Sequence, residues 1–239
     1  MTRLVLVSIV IVPATIWYAS KIAWSVYRRS AEIGCRCEEA ARAWASLVLR
    51  VAGVRVIMEN EGVIDSSSPQ VLVTNHVSWI DVLVLAAFVP ERYVFVAKKE
   101  VERIPVFGAA VRACGHIYID RGDRARALAS LDVAKKRLEE AAPTVIMFPE
   151  GTRSNTGELG SFKKGAFVLA IQTGVSVVPA AIFGSRQVMK RGSFLINSGV
   201  VRVHFGELIQ VGGYSMENRA RLTHRAQQAV SELQKRYET

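Results

Sequence analysis

From residue 54 onward the chain alternates between two periodicities, and that alternation limits its fold more than any other feature. Short runs rich in β-branched residues stand at 54–58 (VRVIM), 71–73 (VLV), 93–97 (YVFVA), 116–119 (HIYI), 144–148 (TVIMF), 175–183 (VSVVPAAIF) and 200–205 (VVRVHF). Between several of them lie stretches with helical patterning, at 79–88, 104–114, 124–141 and 163–173. The last meets a glycine stop signal at Gly174. Short strands alternating with helices predict an α/β layer fold, with a mixed, largely parallel sheet flanked by helices. Residues 216–237 read as a charged helix covering one edge of that sheet. No internal repeat or low-complexity linker interrupts this stretch, so residues 53–239 are taken as one domain.

The first 52 residues have a different character. Residues 4–20 carry no charge, and as a helix they would span roughly 25 Å, against roughly 30 Å of bilayer hydrocarbon. Pro13 interrupts the run. Trp17, Tyr18 and Trp24 suit a membrane interface, and Lys21, Arg28 and Arg29 follow at once, which under the positive-inside bias keeps the body on the cytoplasmic side. Residues 36–52 place Ala41, Trp44, Ala45, Val48 and Leu49 at helical spacing, with Arg36, Arg42 and Arg50 available to headgroups. The expectation is a two-helix membrane anchor dipping into one leaflet, with a single spanning helix as the alternative.

The formal net charge of +10 suits an anionic partner. No zinc-finger spacing or ribonucleoprotein aromatic pattern appears, so nucleic acid is not expected and a membrane surface or phosphorylated substrate is. Cys35, Cys37 and Cys114 form no disulfide framework and no metal-ligand spacing, and all three read as reduced thiols. The four histidines are scattered and the carboxylates do not cluster, so no metal is expected.

Residues 75–81, NHVSWID, follow an apolar strand. Ser78 suits a helix N-cap with Asp81 three residues on, a capping-box spacing. The same placement lets Asp81 reach one ring nitrogen of His76, fixing its tautomer and leaving the other nitrogen as a base. Both readings of Asp81 are open at this level. No nucleophile elbow surrounds Ser78, so a base here would act on a substrate hydroxyl.

Residues 148–154, FPEGTRS, also end a strand, where α/β proteins place their sites. Gly151 permits a tight turn, and Arg153 offers a planar fork for phosphate. Glu150 can orient Arg153 or bind a substrate hydroxyl. Lys163 and Lys164 open the next helix. Lys98, Lys99 and Arg121 follow strands as well.

Together these blocks resemble the glycerolipid acyltransferases, and in particular the lysophosphatidic acid acyltransferases. Asn75 to Asp81 is similar to the family's N-H-x-x-x-x-D block. Lys98 through Arg121, with IPVFG and IYIDR, resembles the second block, FPEGTRS the third, and VSVVPAAI (175–182) the proline-centred fourth. The resemblance implies transfer of a fatty acyl group from acyl-CoA or acyl-carrier protein to the hydroxyl of a lysophospholipid, giving phosphatidic acid from 1-acylglycerol 3-phosphate. It implies His76 as general base with Asp81 orienting it. Arg153, with Lys98, Lys99 or Arg121, would bind the phosphate, and Asn75, Glu150, Gly151 and Thr152 would shape the pocket. Backbone N–H groups near the helix start would hold the oxyanion. No cofactor is implied beyond the thioester co-substrate. A lyso-ornithine lipid as acceptor, or a non-catalytic membrane-binding module, are the other readings.

Overall fold

A computed structural model describes residues 2–28, 33–65, 67–90, 92–104, 107–120, 122–141, 144–193 and 195–236. All seven β-branched runs form strands: β1 (Val54–Glu59), β2 (Gln70–Thr74), β3 (Tyr93–Lys98), β4 (Ile117–Ile119), β5 (Thr144–Met147), β6 (Ser176–Phe183) and β7 (Gly199–Phe205). They build one sheet in the order β1-β7-β6-β2-β5-β3-β4. Every pairing is parallel except β6 with β7. The mixed, largely parallel sheet is therefore observed.

Helices cover both faces, as strands hydrophobic on both sides require. On β2 the alternation is direct: Val71 and Val73 face one layer and Leu72 the other. The first layer contains α5 (Arg124–Ala141), α6 (Gly165–Thr173) and α8 (Arg219–Lys235), packed through Leu138, Phe167, Leu169 and Leu222. The second contains α2 (Ile33–Val51) and α3 (Trp79–Phe88), packed through Leu49, Ile80, Val84 and Leu85. α8 lies against the interior strand β6 rather than at an edge. Its Leu222, Ala226, Val230 and Leu233 stripe recurs at helical spacing and is buried, so the charged residues of that segment conceal an ordinary face-covering helix. Gly174 closes α6 in the left-handed conformation, at φ 70°, which a glycine adopts without a Cβ penalty.

The N-terminal segment forms two helices, α1 (Thr2–Tyr27) and α2, which pack on each other. Trp44 Nε1 donates to Thr15 Oγ1 at 2.9 Å across the pair. Pro13 sits inside α1. α1 also contacts α4 (Phe107–Ala113), so the hairpin roofs part of the body. Among the described residues no helix is long and apolar enough to cross a membrane.

One expectation is corrected here. Cys37 and Cys114 are joined by a disulfide, with Cα atoms 5.2 Å apart, rather than standing as thiols. They are 77 residues apart, so the close spacing of Cys35 and Cys37 gave no hint of it. The bond ties the start of α2 to the residue that follows α4.

Candidate active site

The parallel register decides which loops meet. Val73 of β2 pairs with Met147 of β5, so the segments that leave those strands, 75–81 and 148–154, emerge side by side. They are fastened through His76. Its backbone N–H donates to Glu150 Oε1 (2.7 Å), and its carbonyl accepts from the Ser154 N–H (2.8 Å). Glu150 Oε2 accepts from the Gly160 N–H at 2.9 Å. Glu150 is buried and its pKa is raised, chiefly by that burial, against the opposing pull of these backbone donors. It therefore acts as a strut between loops. Among the described residues its hydrogen bonds run to the His76 and Gly160 amides and not to Arg153, so it shapes the pocket through the loops it joins.

His76 Nδ1 lies 2.9 Å from Asp81 Oδ2. Asp81 is fully buried. An ionised carboxylate only accepts, so Nδ1 carries the proton and Nε2 is left with a free lone pair. The same Oδ2 accepts from the Val77 and Ser78 N–H groups, each at 2.8 Å. Ser78 Oγ completes the capping box by accepting from the Ile80 N–H. The two readings of Asp81 are thus one structure: a single oxygen caps α3 and orients the imidazole. A consequence is that the Val77, Ser78 and Ile80 amides are spent internally, and these helix-start groups are not free for an oxyanion. Phe148 stacks on the His76 ring at 3.9 Å between centroids, fixing the ring plane from the other side.

Asn75 is buried and is not a pocket residue. Its Nδ2 donates to the Ile182 carbonyl at 2.9 Å, and its Oδ1 accepts from the Ile182 N–H at 2.7 Å. It clamps β2 to β6 just below His76.

Arg153 is half-buried, its guanidinium 5.2 Å from the Trp79 ring centre. Burial, and then the charge of Arg191, lower its pKa. Arg191 donates from Nη1 to the Arg153 carbonyl. Gly151 has φ +76°, the left-handed turn its type permits, and the Lys163 side chain lies over it. Lys98 lines the cavity and pairs with Glu100 at 2.9 Å. Lys99 is not on the cavity lining; it pairs with Asp120 at 3.3 Å. Arg121 lies outside the described residues.

A cavity of about 360 Å³ joins these groups. Its polar end carries His76, Gly151, Thr152, Arg153 and Arg191. From there it runs under the hairpin, between Trp44, Leu83, Phe95 and Phe107, to Ala40, Ala41, Tyr93 and His116. Tyr93 and Gln70 both pair with Thr144, and Gln70 lies six positions before His76, so the slot reaches roughly 20 Å from the His76 position at ~3.3 Å per residue. At the far end His116 Nδ1 accepts from the Phe95 N–H at 3.2 Å, and burial pushes its pKa down to about 4. That imidazole is neutral at physiological pH, although the Arg42 guanidinium lies close by, 5.3 Å from the Tyr93 ring centre.

Three contributors were not singled out from the sequence. Phe148 and Trp79 lie inside quoted blocks but look like ordinary apolar residues. Arg191 lies outside every block, in MKRGS, and nothing in its local pattern marks it.

Comparison with known proteins gives a consistent picture. The family model described as Acyltransferase matches residues 55–183. A chloroplastic 1-acyl-sn-glycerol-3-phosphate acyltransferase of Brassica napus is 37% identical over 166 residues, covering 68% of this chain and 47% of the relative. Its counterpart from Arabidopsis thaliana is 37% identical over 164 residues, with 68% and 46% covered. The chain spans about half the length of these curated relatives. The crystal structure of the 1-acyl-sn-glycerophosphate acyltransferase PlsC from Thermotoga maritima superposes with a TM-score of 0.72 at 25% identity, covering 95% of this chain and 98% of that one.

Proposed function

The chain belongs to the acyltransferase family, and from that premise we propose that it transfers a fatty acyl group from acyl-CoA or acyl-carrier protein to the free hydroxyl of 1-acylglycerol 3-phosphate, giving phosphatidic acid. The names of its relatives support that acceptor. The observation that carries the reading is that one continuous cavity joins an imidazole, two guanidinium groups and a long apolar slot.

In this reading His76 Nε2 takes the proton of the acceptor hydroxyl as its oxygen attacks the thioester carbonyl. The tetrahedral intermediate collapses with cleavage of the C–S bond, and the leaving thiolate takes the proton back from the imidazolium. Asp81 holds the imidazole in the required tautomer and stabilises its charged form. The substrate phosphate sits at Arg153, with Lys98 at the rim, and the fatty acyl chain lies in the slot beneath the hairpin.

Membrane association belongs to the same proposal. α1 exposes Ile9, Val12, Ile16, Trp17, Trp24 and Tyr27. Lys21 lies over Trp17, and Arg28 over Trp24. Apolar and aromatic residues flanked by cations suit the headgroup boundary. The hairpin would rest in one leaflet, with the catalytic body on the cytoplasmic face.

The test uses detergent-solubilised protein, lysophosphatidate and oleoyl-CoA, with thiol release and the product mass followed together. Diacyl product with matching thiol release is expected. If neither acyl-CoA nor acyl-carrier protein donors yield product, where a characterised acyltransferase does in the same assay, the reading fails. The slot adds a second expectation. Ala41 lines its far end, so Ala41→Phe should shift donor preference toward shorter chains while leaving turnover of the short donors near wild type. Competing acyl-CoA donors of graded length in one reaction measure this, and an unchanged preference would place the acyl chain elsewhere.

A further inference from the structure

We infer that Arg191 is a second phosphate ligand and sets a preference for acceptors bearing a dianionic phosphate monoester. The inference rests on the acyl-transfer reading and assigns a residue that no sequence block contains.

Arg153 and Arg191 line the same end of the cavity as His76. Among the described residues no carboxylate pairs with either guanidinium; the ion pairs formed lie elsewhere. Asp81 is the acidic group whose field reaches Arg153, and it is already spent on His76 and two amides. Two neighbouring cations without a counter-ion repel each other, and the repulsion is relieved when an anion sits between them.

The geometry of each side chain fits that role. Trp79 covers one face of the Arg153 guanidinium, which leaves the in-plane N–H groups to fork onto oxygens. Arg191 uses Nη1 on the Arg153 carbonyl, and a guanidinium has five N–H donors, so most of its fork remains. Its loop is anchored to the catalytic segment because Ser78 Oγ donates to the Met189 carbonyl at 2.7 Å. Arg191 itself is exposed at the rim, where an entering headgroup arrives. Two forks match the three oxygens and two charges of a monoester better than the single charge of a diester.

The experiment compares wild type, Arg191→Gln and Arg191→Lys on three acceptors: lysophosphatidate, lysophosphatidylcholine and a monoacylglycerol. Arg191→Gln should lower kcat/KM for lysophosphatidate by roughly 10- to 100-fold, the range for a charged hydrogen bond, and mostly through KM. The values for monoacylglycerol should stay within about twofold. Arg191→Lys should recover part of the loss. The wild-type rise in kcat/KM for lysophosphatidate across the second phosphate ionisation, near ~6, should flatten in Arg191→Gln. Equal losses on all three acceptors would mean that Arg191 only positions the 148–154 loop, and would overturn the inference. So would no loss on lysophosphatidate. In either case wild-type turnover leaves the acyl-transfer reading standing, whereas absence of wild-type turnover on every acceptor overturns both.

Discussion

His76→Ala is expected to reduce kcat by roughly 10²–10⁴-fold, the usual cost of losing a positioned general base, in a protein that still folds. The fold should survive because the backbone of residue 76, rather than its ring, fastens the two site loops through Glu150 and Ser154. Alanine keeps both of those bonds. What disappears is the one group in the cavity with a free basic nitrogen beside the guanidinium groups, together with its stack on Phe148. Single-turnover product formation, read beside a thermal melt, checks the claim. A kcat within tenfold of wild type would mean that another group takes the hydroxyl proton. A collapsed melting temperature would mean that the ring is needed for folding.

Much of this arrangement is legible in the sequence, and what is hidden there follows a physical rule. Strand runs such as TVIM and VLV are short, β-branched and buried on both faces, so local composition is enough to mark them. The His76–Asp81 pair was legible because both partners lie within one turn of each other. Asn75, Glu150 and Arg191 were misjudged or missed because their partners are remote: Ile182 for Asn75, Gly160 as well as His76 for Glu150, and Arg153 for Arg191. A polar residue in a motif reads as substrate-facing until the far side of its hydrogen bond is known. The Cys37–Cys114 bond was invisible for the same reason, and α8 was misplaced because its charges outnumber the stripe that docks it on β6.

The division of labour at the site also explains why a short motif suffices. β2 and β5 supply parallel, in-register ends, so residues just beyond them need no long loops to converge. Asn75 and Glu150 then fix the segments to β6 and to each other with backbone bonds. Asn75 and Glu150 are thereby committed to the scaffold, while His76, Lys98, Arg153 and Arg191 remain on the cavity lining.

Two substitutions at Asp81 are expected to separate the roles that converge on its Oδ2. In Asp81→Asn the amide oxygen can take the place of Oδ2 and keep the bonds from His76, Val77 and Ser78. The NH₂ then occupies the place of Oδ1, which has no hydrogen-bond partner among the described residues. The NH₂ hydrogens find no acceptor there, so this variant should fold with some loss of stability, smaller than that of the alanine variant because the amide oxygen keeps the turn's donors paired. It should still lose roughly 10²–10⁴-fold in kcat, because the neutral amide cannot stabilise the imidazolium that forms as the hydroxyl proton is taken. Asp81→Ala removes the acceptor altogether. Two amide donors in a buried turn are left bare, at about 1–3 kcal/mol each, and the cap on α3 weakens. Against a total stability of roughly 5–15 kcal/mol, that loss is large enough to read directly in denaturant unfolding. The alanine variant should therefore be both strongly impaired and clearly destabilised, while the asparagine variant should be strongly impaired and the more stable of the two. An active Asp81→Asn would show that orientation without charge is sufficient. An Asp81→Ala as stable as wild type would show that the capping contacts carry little of the fold, and that the carboxylate is held in place for catalysis alone.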